Sequence, residues 1–207
     1  MKTGRKLIDD FFRKNKAYES EMPSAAALMN FKIKMMMDVE SNEVFEDLTR
    51  GVILESQKNR RENVIAEQSA IQAATSHEEI VKFMRRGIDN INDGVLLEKA
   101  LSFEKELVPD VVKRLRTNMD YDFIELATTI LSSCHMDVSN DLIAYFDDVR
   151  IPYVQSMILV VLGFKAGEEH IPWIIEKYHQ LRKLYPEESY SDGAIYALAE
   201  IEERLYT

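Results

Sequence analysis

The sequence is poor in cysteine, glycine and proline, and its start does not read as a signal peptide. The single cysteine, Cys134, excludes an internal disulfide and is typical of a reducing compartment, so we expect a cytoplasmic protein. Seven glycines and five prolines in 207 residues are too few for the turns of many short strands, which favours helices. The opening MKTGRKLIDDFF places two aspartates directly after its first apolar pair, so we expect no secretory leader.

The sequence also lacks an apolar run long enough to cross a membrane. The stretch IPYVQSMILVVLGF, residues 151–164, carries no charge, but a helix of this length reaches only about 21 Å. A bilayer core is about 30 Å thick, so we expect no membrane-spanning segment. Pro152 near its start and Gly167 just after its end are typical of helix boundaries. We therefore predict a buried helix with three almost fully enclosed side chains: Ile158, Val161 and Leu162.

A helical pattern recurs along the second part of the chain. Leu131, Leu162 and Leu198 can be placed in register, and the segments around them share small or apolar residues at the same spacings. The pattern predicts four helical hairpins, at about 77–105, 107–134, 138–164 and 168–205. Such a hairpin cannot bury its apolar face alone, so we expect neighbouring hairpins to stack into an all-α solenoid.

Two features repeat between these hairpins. One is a proline near the expected start of a first helix, Pro109 and Pro172, and the other is the end of a second helix, VVLG at 160–163 and ALAEI at 197–201. In these features the chain resembles the divergent HEAT-like repeat family over residues 76–207. The resemblance implies a right-handed α-solenoid of HEAT-like hairpins. The arginine that the family often carries early in the second helix is absent, and the corresponding positions hold Ile124, Gln155 and Ser191. Armadillo-type or tetratricopeptide-like packing therefore stays open.

Residues 1–75 do not show the repeat, and we expect an irregular helical region that caps the array or dimerises. The apolar residues around Phe11 and Phe12 predict one short amphipathic helix. Pro23 precedes a second helix that contains three consecutive methionines, Met35–Met37. Consecutive residues face different sides of a helix, so a homodimer surface is an alternative to core filling. The expected units are therefore 1–75 and 76–207.

No arrangement of residues typical of catalysis or metal binding is present in the sequence. Cys134 and His135 are adjacent, and no CxxC or HxxxH spacing supports them as metal ligands. There is no GxSxG elbow and no phosphate-binding glycine loop, and acidic pairs such as Glu202 and Glu203 are typical of exposed helix ends. We therefore expect no catalytic residue, cofactor or metal, while enzymatic activity stays an open alternative.

Negative charge is concentrated in the second half of the chain. Residues 119–207 hold six Lys or Arg against sixteen Asp or Glu, which equals the net charge of −10 for the whole sequence. Such a surface favours basic or neutral protein partners over phosphate backbones. The resemblance to HEAT-like proteins implies that the second helices line a concave surface that binds a protein or peptide, and in this chain we expect that surface to be acidic. Six residues are expected to point outward there: Glu125, Thr128, Ser132, Gln155, Tyr196 and Glu200.

Two basic clusters keep a second function open. Lys82, Arg85 and Arg86 share one expected helix, and a similar cluster follows one repeat later: Lys113, Arg114 and Arg116. Stacking would align the clusters into a basic stripe on the first helices. A DNA glycosylase family built on HEAT-like repeats uses a basic groove, so nucleic-acid binding or processing is the alternative function. A regulatory or immunity-type protein that inhibits one toxin or enzyme is a third possibility.

Overall fold

The computed structural model describes residues 3–15 and 55–207, with side chains from residue 60 onward in the second stretch. All regular structure in these residues is helical, and no strand occurs among them, so an all-α protein is confirmed for this part of the chain. The predicted Met-rich helix with Met35–Met37, and the dimer surface on it, lie outside the described residues. We number the α-helices in chain order as α1 Gly4–Lys14, α2 Glu55–Gln72, α3 His77–Arg86, α4 Asp93–Leu101, α5 Glu104–Leu115, α6 Tyr121–Ser133, α7 Ser139–Tyr145, α8 Pro152–Lys165, α9 Ile171–Leu184 and α10 Asp192–Tyr206.

Several helices begin where the sequence supplies a start signal. The Asp120 carboxylate accepts hydrogen bonds from the backbone N–H groups of Asp122 and Phe123 and so caps α6. Pro152 and Pro172 lie in the first turns of α8 and α9, where the missing backbone donor costs nothing. The charge-free stretch around residues 151–164 is therefore a helix, as the sequence predicts.

The expected position of Pro109 in a first turn is wrong. Helix α5 begins at Glu104, so Pro109 lies inside it. Two observations support the earlier start of the helix. The Glu104 carboxylate accepts a hydrogen bond from the backbone N–H of Met136, and Leu107 is fully buried. Proline has no N–H to donate to the carbonyl of Lys105, so the helix lacks one backbone bond at an exposed position.

The core follows a row of four helices, α4, α6, α8 and α10, each of which packs against the next. Helices α3, α5, α7 and α9 pack against members of this row. Helix α8 lies inside the row, and every residue from Tyr153 to Gly163 is buried. The predicted burial of Ile158, Val161 and Leu162 is confirmed, because all three are fully enclosed. None of the described helices combines the length and the apolarity that crossing a membrane requires.

Helices α1 and α2 pack at opposite ends of the row. Helix α1 contacts α9 and α10, and it buries Ile8 and Phe11 there. The Phe11 ring meets Tyr178 edge to face with 4.8 Å between ring centroids, and the Gly4 N–H donates to the Glu168 carboxylate. Helix α2 packs against α4. Each end of the row is therefore covered by a helix from the N-terminal part of the chain.

Candidate functional site

Three of the six residues expected to point outward are buried, so the expectation is wrong for them. Thr128 is 0% exposed, Ser132 3% and Gln155 8%. The Thr128 hydroxyl donates to the Ile124 carbonyl at 2.8 Å, and the Gln155 side-chain amide donates to the Phe146 carbonyl at 3.2 Å. Helices α6 and α8 have neighbours on both sides in the row, so these side chains are enclosed. The polar groups of Thr128 and Gln155 bond within the protein, whereas the buried Ser132 hydroxyl has no hydrogen-bond partner among the described residues.

The other three residues, Glu125, Tyr196 and Glu200, are partly exposed. Glu200 lies beside Gly163, where α8 and α10 approach closely, so its side chain is part of a helix–helix contact. Glu125 lies beside the Tyr153 phenol. Burial raises the pKa of Tyr153, and the neighbouring Glu125 charge raises it further, so the phenol stays protonated. Glu125 therefore lies at the surface next to a neutral phenol.

Glu125 lines a surface crevice of about 370 Å³ between α6 and the turn that leads into α4. We call it the acidic crevice, because four of its seven lining residues are carboxylic acids. The lining consists of Ile88, Asp89, Asn90, Asp93, Asp122, Glu125 and Leu126. Arg60 on α2 pairs with Asp89 at 3.0 Å, whereas Asp122 is exposed to solvent. Asp122 and Glu125 are therefore the acids best placed to meet a ligand.

Glu67 on α2 fixes the turn that forms one wall of the acidic crevice. Its carboxylate accepts hydrogen bonds from the Asp89 backbone N–H and the Asn92 side-chain amide, both at 2.9 Å, and from the Arg86 guanidinium at 3.3 Å. Asn92 is buried and also donates to the Val64 carbonyl at 3.1 Å. Helix α2 therefore holds Asp89 in place through a connected set of polar contacts.

Replacing Asn92 with alanine should destabilise the protein by about 2 kcal/mol, because the buried Val64 carbonyl and one Glu67 oxygen lose their donor. Denaturant unfolding followed by circular dichroism measures the change. Asn90→Ala is the matched control, since Asn90 lies in the same turn but is exposed, and we expect a change within about 0.5 kcal/mol. Equal losses in the two variants would contradict the role given to Asn92.

A second crevice, of about 550 Å³, reaches the chain segment just before α6. We call it the basic crevice, and its lining consists of Arg85, Arg114, Thr117, Asn118, Met119 and Asp120. Its two arginines come one from each basic cluster of the sequence. The clusters are partly neutralised, because Arg114 pairs with Asp110 at 2.8 Å and Arg116 pairs with Asp148 at 3.4 Å.

Two apolar side chains are exposed in the segment that joins the two crevices. Met119 is 77% exposed and Tyr121 is 63% exposed, and the Tyr121 ring lies 4.9 Å from that of Tyr153. Exposed apolar groups that lie together mark interaction surfaces more often than isolated ones do. The sequence does not single out Met119 or Tyr121, because an apolar residue at a helix start adds nothing to a periodic pattern.

Two features bear on metal binding and thiol chemistry in the described residues. No group of three His, Cys, Asp or Glu side chains within residues 3–15 and 55–207 could hold a metal ion. Cys134 is buried, and burial raises the pKa of its thiol, which disfavours the reactive thiolate. Comparison with protein-family models, with curated proteins and with solved structures found no match. Any functional inference therefore depends on the shape and charge of the surface.

Proposed function

We propose that this protein is a non-enzymatic interaction module that binds a basic segment of a partner protein in the acidic crevice. The observation that carries the proposal is the concave placement of Asp122 and Glu125 in one crevice, close to the exposed Tyr121. The net charge of −10 adds a long-range attraction for basic partners.

We further propose that the helices form a right-handed, HEAT-like α-solenoid. The packing of α4, α6, α8 and α10 in chain order supports this arrangement, since each would be the second helix of one hairpin. The packing of α5 on α6 and of α9 on α10 supports the same hairpins. Solenoids present extended surfaces to their partners, and the acidic crevice would lie where two successive second helices meet.

A lysine or arginine side chain matches the acidic crevice in charge. Its cationic head forms charge-assisted hydrogen bonds with carboxylates such as Asp122 and Glu125. The nearby Tyr121 ring offers a face for a cation–π contact. Each exposed ion pair contributes only about 0.2–1 kcal/mol, so we expect binding through several contacts and a clear dependence on salt.

The double variant Asp122→Asn, Glu125→Gln should weaken binding of a labelled arginine-rich peptide roughly fivefold to tenfold, because two exposed charge pairs are lost. Both substitutions preserve the shape of the side chain and remove only its charge. Fluorescence anisotropy at low and at physiological salt measures the change, and a thermal melt shows that the variant is folded.

The matched control is Glu106→Gln, Glu187→Gln, which removes the same charge at two exposed positions outside both crevices. We expect this variant to bind the peptide nearly as well as the unaltered protein. Equal weakening by the two double variants would mean that the peptide responds to overall charge alone. If no arginine-rich peptide binds even at low salt, the proposed function is wrong.

A further inference from the structure

We infer that the binding surface continues from the acidic crevice, across the start of α6, into the basic crevice. Its partner is a protein segment that carries one basic and one acidic residue on either side of an apolar side chain. This inference rests on the proposed function and specifies the chemistry of the partner.

The two crevices share one short segment of chain. Asp120 belongs to the lining of the basic crevice, and Asp122, two residues later, belongs to the lining of the acidic crevice. Asp120 accepts hydrogen bonds from the backbone N–H groups of Asp122 and Phe123, which fixes the conformation of the segment. An extended partner chain advances about 3.3 Å per residue, so a short segment can reach both crevices.

The basic crevice can receive a carboxylate of the partner. Arg85 is exposed and has no acidic partner among the described residues. Arg114 uses its Nε–H for Asp110 and remains partly exposed, so its terminal nitrogens can donate to a second carboxylate. Guanidinium groups bind carboxylates through two parallel hydrogen bonds, which gives direction as well as attraction.

Met119 lines the basic crevice, and Tyr121 follows the capping residue Asp120 at the start of α6. Both side chains are mostly exposed, and they supply an apolar contact for the partner. Methionine adapts its shape to varied partners, and tyrosine adds a large rigid surface at little entropic cost. An apolar residue of the partner that covers them removes this exposed surface from water.

The distribution of charge favours a protein segment over a nucleic acid. A phosphate backbone held by Arg85 and Arg114 would also run past Asp120 and Asp122, and these acids would repel it. A segment with one charge of each sign meets a complementary group in both crevices. A uniformly basic partner can still bind in the acidic crevice, but it leaves the basic crevice without a complementary charge and so binds less tightly than a segment with one charge of each sign.

The test uses short labelled peptides in which glutamate, leucine and arginine are separated by Gly-Ser spacers of varied length, in both orders. A second set carries glutamine in place of glutamate and can engage only the acidic crevice and the apolar contact. We expect the best glutamate peptide to bind the full chain about threefold more tightly than its glutamine counterpart, which is the gain from one exposed charge pair.

The variant Arg85→Gln, Arg114→Gln should abolish that gain, so that the glutamate and glutamine peptides bind it with equal affinity. Arg150→Gln is the matched control, because Arg150 is an exposed arginine outside both crevices, and it should preserve the gain. A thermal melt of each variant confirms folding before the affinities are compared.

If the glutamate peptide still bound the Arg85→Gln, Arg114→Gln variant more tightly than the glutamine peptide does, the inference would be wrong. The proposed binding in the acidic crevice would not be affected by that result. A different result would contradict the proposed function itself. In that case, the glutamine peptide would bind the Asp122→Asn, Glu125→Gln variant as tightly as it binds the unaltered protein. The two results are distinguishable because each concerns a different peptide and a different pair of side chains.

Discussion

Replacing Ile158 with aspartate should prevent the protein from folding cooperatively. Ile158 is 0% exposed and lies in the middle of α8, which packs against α6 on one side and α10 on the other. A buried, unpaired carboxylate costs several kcal/mol, and the lost burial of the isoleucine side chain adds about 2 kcal/mol. Domains are typically stable by only about 5–15 kcal/mol, so the substitution should remove most of that stability. Circular dichroism and thermal melting measure the outcome.

Ile158→Val and Leu205→Asp are the controls for this prediction. The valine variant removes one methyl group and should cost about 1 kcal/mol while the protein stays folded. The aspartate at position 205 adds the same charge at a partly exposed site near the end of α10, where water can still solvate it. A cooperative melt of Ile158→Asp close to that of Leu205→Asp would contradict the inner position of α8.

Gly193→Ala should destabilise the protein by about 3 kcal/mol, at the upper end of what overpacking usually costs. A Cβ atom at this position would lie 2.2 Å from the Ser156 carbonyl oxygen and 2.7 Å from the Ser156 hydroxyl. The first of these atoms belongs to the backbone of α8, so a side-chain rotation cannot relieve the clash. Helices α8 and α10 would have to move apart along the most closely packed contact of the core.

Gly94→Ala is the matched control, because a Cβ atom there meets nothing within 4 Å. Alanine is the better helix former, so this change should leave stability unchanged or raise it by about 0.5 kcal/mol. Denaturant unfolding of both variants gives the comparison. Changes of the same sign and size would mean that Gly193 is not a site of close helix approach.

The helices themselves could be predicted largely from the sequence, because their signals are local. Apolar residues at helical spacing and prolines such as Pro152 and Pro172 act within a few residues of where they stand. Pro109 shows the limit of this reasoning. A proline is tolerated in a first turn and, at a cost, inside a helix, and the contacts of Glu104 decide between the two.

The candidate site could be predicted only in part. Glu125 and the arginines at 85 and 114 were singled out from charge and spacing, but the sequence did not show that they line two crevices that meet at one helix start. The crevices are built from residues of α3, α5, α6 and the turn before α4. Which of these residues become neighbours depends on how the helices pack. Helix packing depends on several segments of the sequence together, and no single segment determines it.

By itself the sequence determined that the described chain is helical, that α8 and α9 begin beside Pro152 and Pro172, and that Ile158, Val161 and Leu162 are buried. These properties follow from local propensity and from the solvation of apolar side chains. Only the tertiary structure decided which polar side chains stay at the surface. On an isolated helix, Thr128 and Gln155 would be predicted to be exposed, yet both are buried. A helix with packed neighbours on both sides exposes only a narrow face to solvent.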